Sequence, residues 1–236
     1  VVTSGLAVSR PRPGVAELRL ARPAQRNALD TELLSALYRE LLALGEDPGT
    51  RVVVLSGEGP TFCAGADLSE FAGTSPDPTA SLARLRLVVR CVRVLLSLEQ
   101  VTIAVVHGVA VGAGWGLALG CDLCWAVDGT RFSLPEVAKG FRLPRVIVER
   151  LTQVVGPVRA AEIVLTGDTI EADSARSLGL VTRVHTDVET ARATAIELAA
   201  GLAAGPVAPL RGATEPLRLL GAPGAVPEID YQWPER

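Results

Sequence analysis

Two short stretches of small residues, the first built around one glycine and the second holding four, each following a β-branched run, constrain this chain more than any other feature in it. Arg51-Val52-Val53-Val54-Leu55 leads to Phe62-Cys63-Ala64-Gly65-Ala66-Asp67-Leu68, and Val101-Thr102-Ile103-Ala104-Val105-Val106 leads to His107-Gly108-Val109-Ala110-Val111-Gly112-Ala113-Gly114-Trp115-Gly116. Both run on into a helix-like segment, so each reads as strand, tight loop and helix start. A helix start leaves backbone N–H groups without intrahelical acceptors. Two such starts facing one ligand atom make an oxyanion hole, built from main chain and requiring only small residues around it.

The rest of the composition narrows the setting of that feature. With 236 residues and no compositional break, the chain can bury a full core as a single functional domain. A net charge of −3 with scattered basic residues argues against a nucleic-acid footprint or a polybasic membrane patch. Small molecules and other subunits remain as partners. No apolar run reaches the length of about 18 residues that a membrane span needs, and Val1-Val2-Thr3-Ser4-Gly5 lacks the pattern of a signal peptide, so a cytoplasmic location is expected. Cys63, Cys91, Cys121 and Cys124 are unevenly spaced, and the Cys121-x-x-Cys124 pair has neither a second pair nor a histidine cluster beside it. They read as reduced, buried small residues rather than metal ligands.

Along the chain, Leu6 to Arg10 and Val15 to Leu20 alternate as two strands joined by Pro11-Arg12-Pro13-Gly14. Asp30 is placed to cap a helix whose apolar face is Leu33, Leu34, Leu37, Leu41 and Leu42, ending at Gly45. Gly73 to Pro78 reads as a surface loop, and 80–98 resumes a helical period. Short strands are expected at Leu123 to Ala126 and Arg131 to Phe132, with Pro135-Glu136 opening the next helical piece. Residues 145–203 read mostly as helix, interrupted at Gly156-Pro157, Gly167 and Gly179, with one strand near Leu180 to Val184. Strand-then-helix units in series predict an α/β fold, without choosing between a flat sheet and a spiral.

Seven segments in register carry a resemblance: Asn27-Ala28-Leu29-Asp30, Arg51 to Gly57, Phe62 to Leu68, Cys121-Asp122-Leu123, Pro135-Glu136, Leu165-Thr166-Gly167, and Ala175 with Gly179-Leu180-Val181. Together they resemble the enoyl-CoA hydratase/isomerase (crotonase) family from residue 6 to about 205. The resemblance implies a spiral of ββα units over 1–188 and a helical C-terminal trimerisation region over 189–236, shortened relative to the family. It also implies a homotrimer or dimer of trimers and an acyl-CoA substrate, with no metal or redox cofactor.

Carried over position by position, the resemblance makes the backbone N–H groups of Ala66 and Ala113 the two oxyanion donors. Such a donor contributes about 3 to 4 kcal/mol in comparable sites. Alanine at 113 stands where the family has glycine, and it can present its N–H if its φ is negative. Ala64, Ala66, Asp67, Leu68, Ala113 and Trp115 would surround the acyl thioester, and Gln25 and Arg26 align with a loop that contacts CoA. Hydratases of the family use two glutamates. Here the second is Glu136, while the position of the first is Gly116.

A single carboxylate beside an oxyanion hole suffices for a 1,3-proton shift, because one base can take a proton from one carbon of an enolate and return it to another. Double-bond isomerisation is therefore the favoured reaction, with Glu136 as base and its pKa raised by burial. Trp115 can be read as filling the space of the missing acid or as a core residue. Arg142 can be read as a partner for a substrate carboxylate or as a solvated surface arginine. Asp67 is expected to cap a helix, and neither His107 nor His185 is expected to act as a base. Three alternatives stay open on the sequence: hydration in the same site, decarboxylation of a malonyl-type thioester, and a non-catalytic acyl-CoA-binding subunit.

Overall fold

Parallel pairing of continuous apolar strands sets the architecture. The computed structural model describes residues 2–67, 78–207, 209, 210 and 212–214, with side chains from 82 onward in the second helix. The loop read at 73–78 and the chain after 214 lie outside these residues, apart from the start of the second helix at Pro78. Among the described residues ten strands run in chain order: β1 (Val2–Thr3), β2 (Leu6–Arg12), β3 (Val15–Leu20), β4 (Val52–Gly57), β5 (Val101–Val106), β6 (Val109–Val111), β7 (Leu123–Val127), β8 (Arg131–Ser133), β9 (Ile170–Glu171) and β10 (Arg183–His185). The helices are α1 (Thr31–Glu46), α2 (Pro78–Ser97), α3 (Ala113–Leu119), α4 (Arg145–Thr166), α5 (Ala172–Ser177) and α6 (Val188–Ala204).

Seven strands form one sheet in the order β1-β2-β3-β4-β5-β7-β10, and β6-β8-β9 form a second. From β3 onward the large sheet is parallel, with Val15 opposite Val52, Val52 opposite Val101, Ile103 opposite Leu123 and Trp125 opposite Arg183. Every residue of β4 and β5 is buried, as expected for parallel strands covered on both faces. Alternation within them divides the core. Val53, Leu55, Ala104 and Val106 face the larger cluster with α1, while Val52, Val54, Ile103 and Val105 face the second cluster with α6.

The order β5-β6-α3 followed by β7-β8-α4 is the repeating ββα turn of the expected spiral: one strand in each sheet, then a helix. The first glycine stretch joins the same stack. Cys63 makes a parallel bridge to Ala110 of β6, which in turn lies opposite Phe132 of β8.

Local signals set most boundaries. Asp30 caps α1 through Oδ1, which accepts the Leu33 N–H at 2.7 Å. The buried face of α1 ends on Leu44, while Leu42 is exposed, because 44 rather than 42 continues the row of 37 and 41. α4 breaks at Gly156, φ 77° and ψ 163°, just before Pro157. The helical piece expected at Pro135-Glu136 is instead a turn, closed by the Phe141 N–H on the Glu136 carbonyl at 2.7 Å, and the helix begins only at Arg145.

The C-terminal helical region expected to start at 189 is, through Ala204, part of the core. α6 lays Ala191, Ala195, Ala199 and Ala203 on the large sheet, a small-residue row that lets helix and strands approach closely. Arg51 Nη1 donates to the carbonyls of Ala203 and Gly205 at its end. Near its start, Arg192 forks onto Glu17 of β3 at 2.6 and 3.1 Å, with Ser9 Oγ donating to the same carboxylate at 3.0 Å. Among the described residues no helix is long and apolar enough to cross a membrane.

Glu17 is only 2 % exposed, so its charge depends on that fork. Arg192→Met is expected to cost about 3 kcal/mol, the low end for breaking a buried pair. Urea unfolding at neutral pH measures it, and an unchanged midpoint would show that the alanine row and the Arg51 hydrogen bonds hold α6 without the fork.

Candidate active site

Three rungs of backbone pairing bring the candidate groups together. The Phe62 and Cys63 N–H groups donate to the carbonyls of His107 and Val109 at 2.8 and 3.0 Å, and the Val111 N–H donates to the Cys63 carbonyl at 3.1 Å. Cys63, Ala110 and Phe132 thus lie side by side. Ala66 and Ala113 each stand three residues beyond the Cys63–Ala110 pair, and Glu136 four beyond Phe132. The pairing holds the starts of these short excursions side by side, and the Glu136 carboxylate meets the Gly112 backbone directly.

Both candidate N–H groups lack a backbone acceptor among the described residues. Leu29 pairs across Ala66, donating to the Gly65 carbonyl at 2.8 Å and accepting from the Asp67 N–H at 3.1 Å, so the N–H of Ala66 points away from that strand. Ala113 opens α3, where no preceding turn supplies an acceptor. It is not among the residues with positive φ, so the alanine sits in ordinary helical backbone and its methyl is no obstacle.

Two glycines are needed here for both conformation and space. Gly65 has φ 93°, and a Cβ on it would stand 2.8 Å from the Val111 carbonyl oxygen. Gly112 has φ 54°, and a Cβ there would fall on Oε1 of Glu136. The Glu136 carboxylate therefore rests against the backbone just before the Ala113 N–H. Its Oε2 is buried without a hydrogen-bond partner. Burial pushes the carboxyl above its ordinary 4.5, outweighing the opposing pull of its own backbone N–H and of Lys139.

Position 116 faces an apolar side chain. A Cβ on Gly116 would fall on Cδ1 of Ile147, with Cγ1 at 2.9 Å. Trp115 does not fill that space: it is 1 % exposed, in the core, with its ring 5.5 Å from Phe132. Successive residues on a helix point about 100° apart, so 115 and 116 face different neighbours.

The first loop is braced by side chains that the sequence reading did not single out. Asn27 is fully buried; its Oδ1 accepts the Arg22 N–H at 2.8 Å, and its Nδ2 donates to the carbonyls of Glu58 and Thr61 at 2.9 and 2.7 Å. Arg22 holds Asp30 at 2.9 Å and Asp67 at 3.1 Å. Asp67 is thus a buried ion-pair partner; the helix it was expected to cap lies outside the described residues, as does Leu68. An Asn between a turn and a helix cap is a signal of local bracing, but its acceptors at 58 and 61 are set by tertiary packing.

Gln25 and Arg26 are exposed on a short 3-10 turn, and the Arg26 carbonyl accepts the Ala64 N–H at 3.0 Å, so this turn lies directly beside the first loop. Arg142 is exposed beyond the Glu136 turn. His107 is buried with Nε2 at 2.9 Å from the Gly59 carbonyl oxygen, and burial lowers its pKa, which suits a structural ring. His185 lies against Trp125, 5.2 Å between ring centres. The four cysteines are buried thiols, with Cys63, Cys91 and Cys124 pushed up to about 12.

Residues 10–219 match the sequence profile of the enoyl-CoA hydratase/isomerase family, and the chain belongs to that family. It is 40 % identical over 181 residues to the 2,3-dehydroadipyl-CoA hydratase of Escherichia coli, covering 77 % of this chain and 69 % of that one. Its fold is close to the crystal structure of an enoyl-CoA hydratase from Bacillus anthracis, with TM-score 0.85 and 32 % identity over 90 % of this chain and 82 % of the other. A monofunctional enoyl CoA isomerase from M. smegmatis also matches, with TM-score 0.77 and 28 % identity over 93 % and 95 % of the two chains.

Two stability measurements test this geometry. Asn27→Ala strands an N–H and two carbonyls in the interior and is expected to cost about 3 kcal/mol in urea unfolding; a loss below about 1 kcal/mol would mean the loop is held without it. Glu136→Gln has the opposite sign. Because folding raises the Glu136 pKa, its ionisation opposes folding, fully above the folded pKa and not at all below the ordinary carboxylate value. The variant is therefore expected to match or exceed the parent in stability at neutral pH, with the gain fading toward acid; a parent more stable at neutral pH would place a favourable partner on the carboxylate.

Proposed function

We propose that this protein isomerises the double bond of an acyl-CoA thioester through an enolate, with Glu136 as its single base and the N–H groups of Ala66 and Ala113 as donors to the thioester oxygen. The observation that carries the reading is the half-buried Glu136 carboxylate against Gly112, its Oε2 buried without a hydrogen-bond partner, together with a position 116 that supplies no second acid. As the C–H bond at one carbon breaks, its proton passes to Glu136 and the electron pair moves onto the thioester oxygen. Two N–H donors then stabilise that oxygen. Reprotonation at the carbon two bonds away returns Glu136 to its starting state, so nothing is consumed and no metal or redox cofactor is called for.

Around this centre, Ala64 and Asp67 form the wall of the first loop. Gln25 and Arg26 are read as the contact for CoA, the Arg26 charge meeting phosphate. A homotrimer or dimer of trimers is the assembly expected for such an enzyme. Hydration in the same site is the second reading, favoured by the hydratase named above among the relatives; it requires a water held by backbone groups rather than by a second carboxylate.

Glu136→Gln is expected to slow exchange of the substrate α-proton into D2O by about 10²- to 10⁴-fold while CoA-ester binding persists. In the parent, kcat/KM should fall as pH drops through a midpoint above 4.5, since the base form of Glu136 is lost there. Full exchange in the variant would remove Glu136 from the mechanism.

A further inference from the structure

Two glycines four residues apart, Gly112 just before α3 and Gly116 within it, leave places without side chains whose occupants differ in kind. Over Gly112 sits the Glu136 carboxylate; over Gly116 sits the tip of Ile147. Ile147 is fully buried in the first turn of α4, its N–H donating to the Pro144 carbonyl at 3.0 Å, and it belongs to the main core cluster. Its position is therefore fixed by packing on all sides rather than by a rotamer free to swing away.

Adding water to a double bond makes demands that a proton shift does not. A C–O bond forms at one carbon, a proton is delivered to its neighbour, and the water must be held and deprotonated in between. The holding group needs a place beside Glu136, and a water needs polar partners as well as room. The neighbouring place along α3 is Gly116, and the γ and δ carbons of Ile147 supply no hydrogen bond there.

We propose that Ile147 is the specificity-determining residue that restricts this site to proton transfer, by filling with hydrocarbon the place from which a second polar group and its water would act. This rests on the one-base reading given above. Enlarging the space should admit water and let the enolate system partition toward a hydroxyacyl product.

The test follows one 2-enoyl-CoA ester in D2O and in oxygen-18 water with the parent, Ile147→Ala, Gly116→Glu and the double variant, reading deuterium uptake, oxygen incorporation and melting temperature. The parent is expected to exchange protons without incorporating oxygen. Ile147→Ala should bring the ratio of oxygen incorporation to exchange about tenfold above the detection limit that bounds the parent, and the double variant about 100-fold above it. Gly116→Glu alone should melt lower and incorporate no oxygen, its new side chain colliding with Ile147. Hydration by Gly116→Glu equal to that of the double variant, or a folded and exchanging Ile147→Ala with the parent's ratio, would overturn the role of Ile147. A parent that exchanges no protons strikes the one-base reading itself and the inference with it.

Discussion

Three main-chain hydrogen bonds, from Phe62, Cys63 and Val111, tie the first glycine stretch to the second, and the site depends on them. They fix a parallel register between segments that are more than forty residues apart in sequence, so that equal steps along each chain end at Ala66 and Ala113. A slip of one residue would exchange the faces of one segment and turn its N–H toward the neighbouring strand. Close packing reinforces the register: Gly65 lies against the Val111 carbonyl, and a side chain at Gly114 would meet Sγ of Cys63 at 2.6 Å. Small residues are needed at these contacts because backbone meets backbone there. The chemistry of the loops is thus a by-product of how tightly two turns of the spiral stack.

Charge is distributed around this framework by the same packing. Asp67, the acid nearest the first donor in sequence, is neutralised by Arg22, which also holds Asp30 at the start of α1. Glu136 receives no such partner and is pushed upward by burial. One carboxylate is consumed by structure and the other is left available to accept a proton. The difference arises from what lies opposite each: a guanidinium for Asp67, and for Glu136 a glycine backbone with the hydrocarbon of Ile147 one turn away.

Sequence reading recovers what is decided locally. The Asp30 cap, the continuous apolar strands, the break at Gly156-Pro157 and the two loops all follow from short-range rules. Strands of two or three residues such as β6 and β9 are invisible to periodicity, since nothing repeats over that length. The turn at Glu136 reads as a helix start because proline followed by glutamate suits both. Ile147 is the instructive case: its contact with Gly116 joins α4 to α3, and no pattern within either segment announces it, whereas the adjacent Trp115 looked like the natural space-filler. The placement of α6 is likewise hidden, because a row of alanines has little hydrophobic contrast even though it packs on one face of the sheet.

Cys63 lies at the seam between the two stretches, fully buried, its thiol donating to the Asn27 carbonyl at 3.1 Å and its sulfur beneath Gly114. A bulky reagent cannot reach that sulfur while the stretches are joined, and a thiol pushed up to about 12 is nearly all protonated at neutral pH. Its labelling is therefore gated twice, by separation of the loops and by ionisation after water enters. The rate of that labelling would report how often the two stretches separate, and a ligand bridging the N–H groups of Ala66 and Ala113, as proposed, would slow it in proportion to how firmly it clasps both.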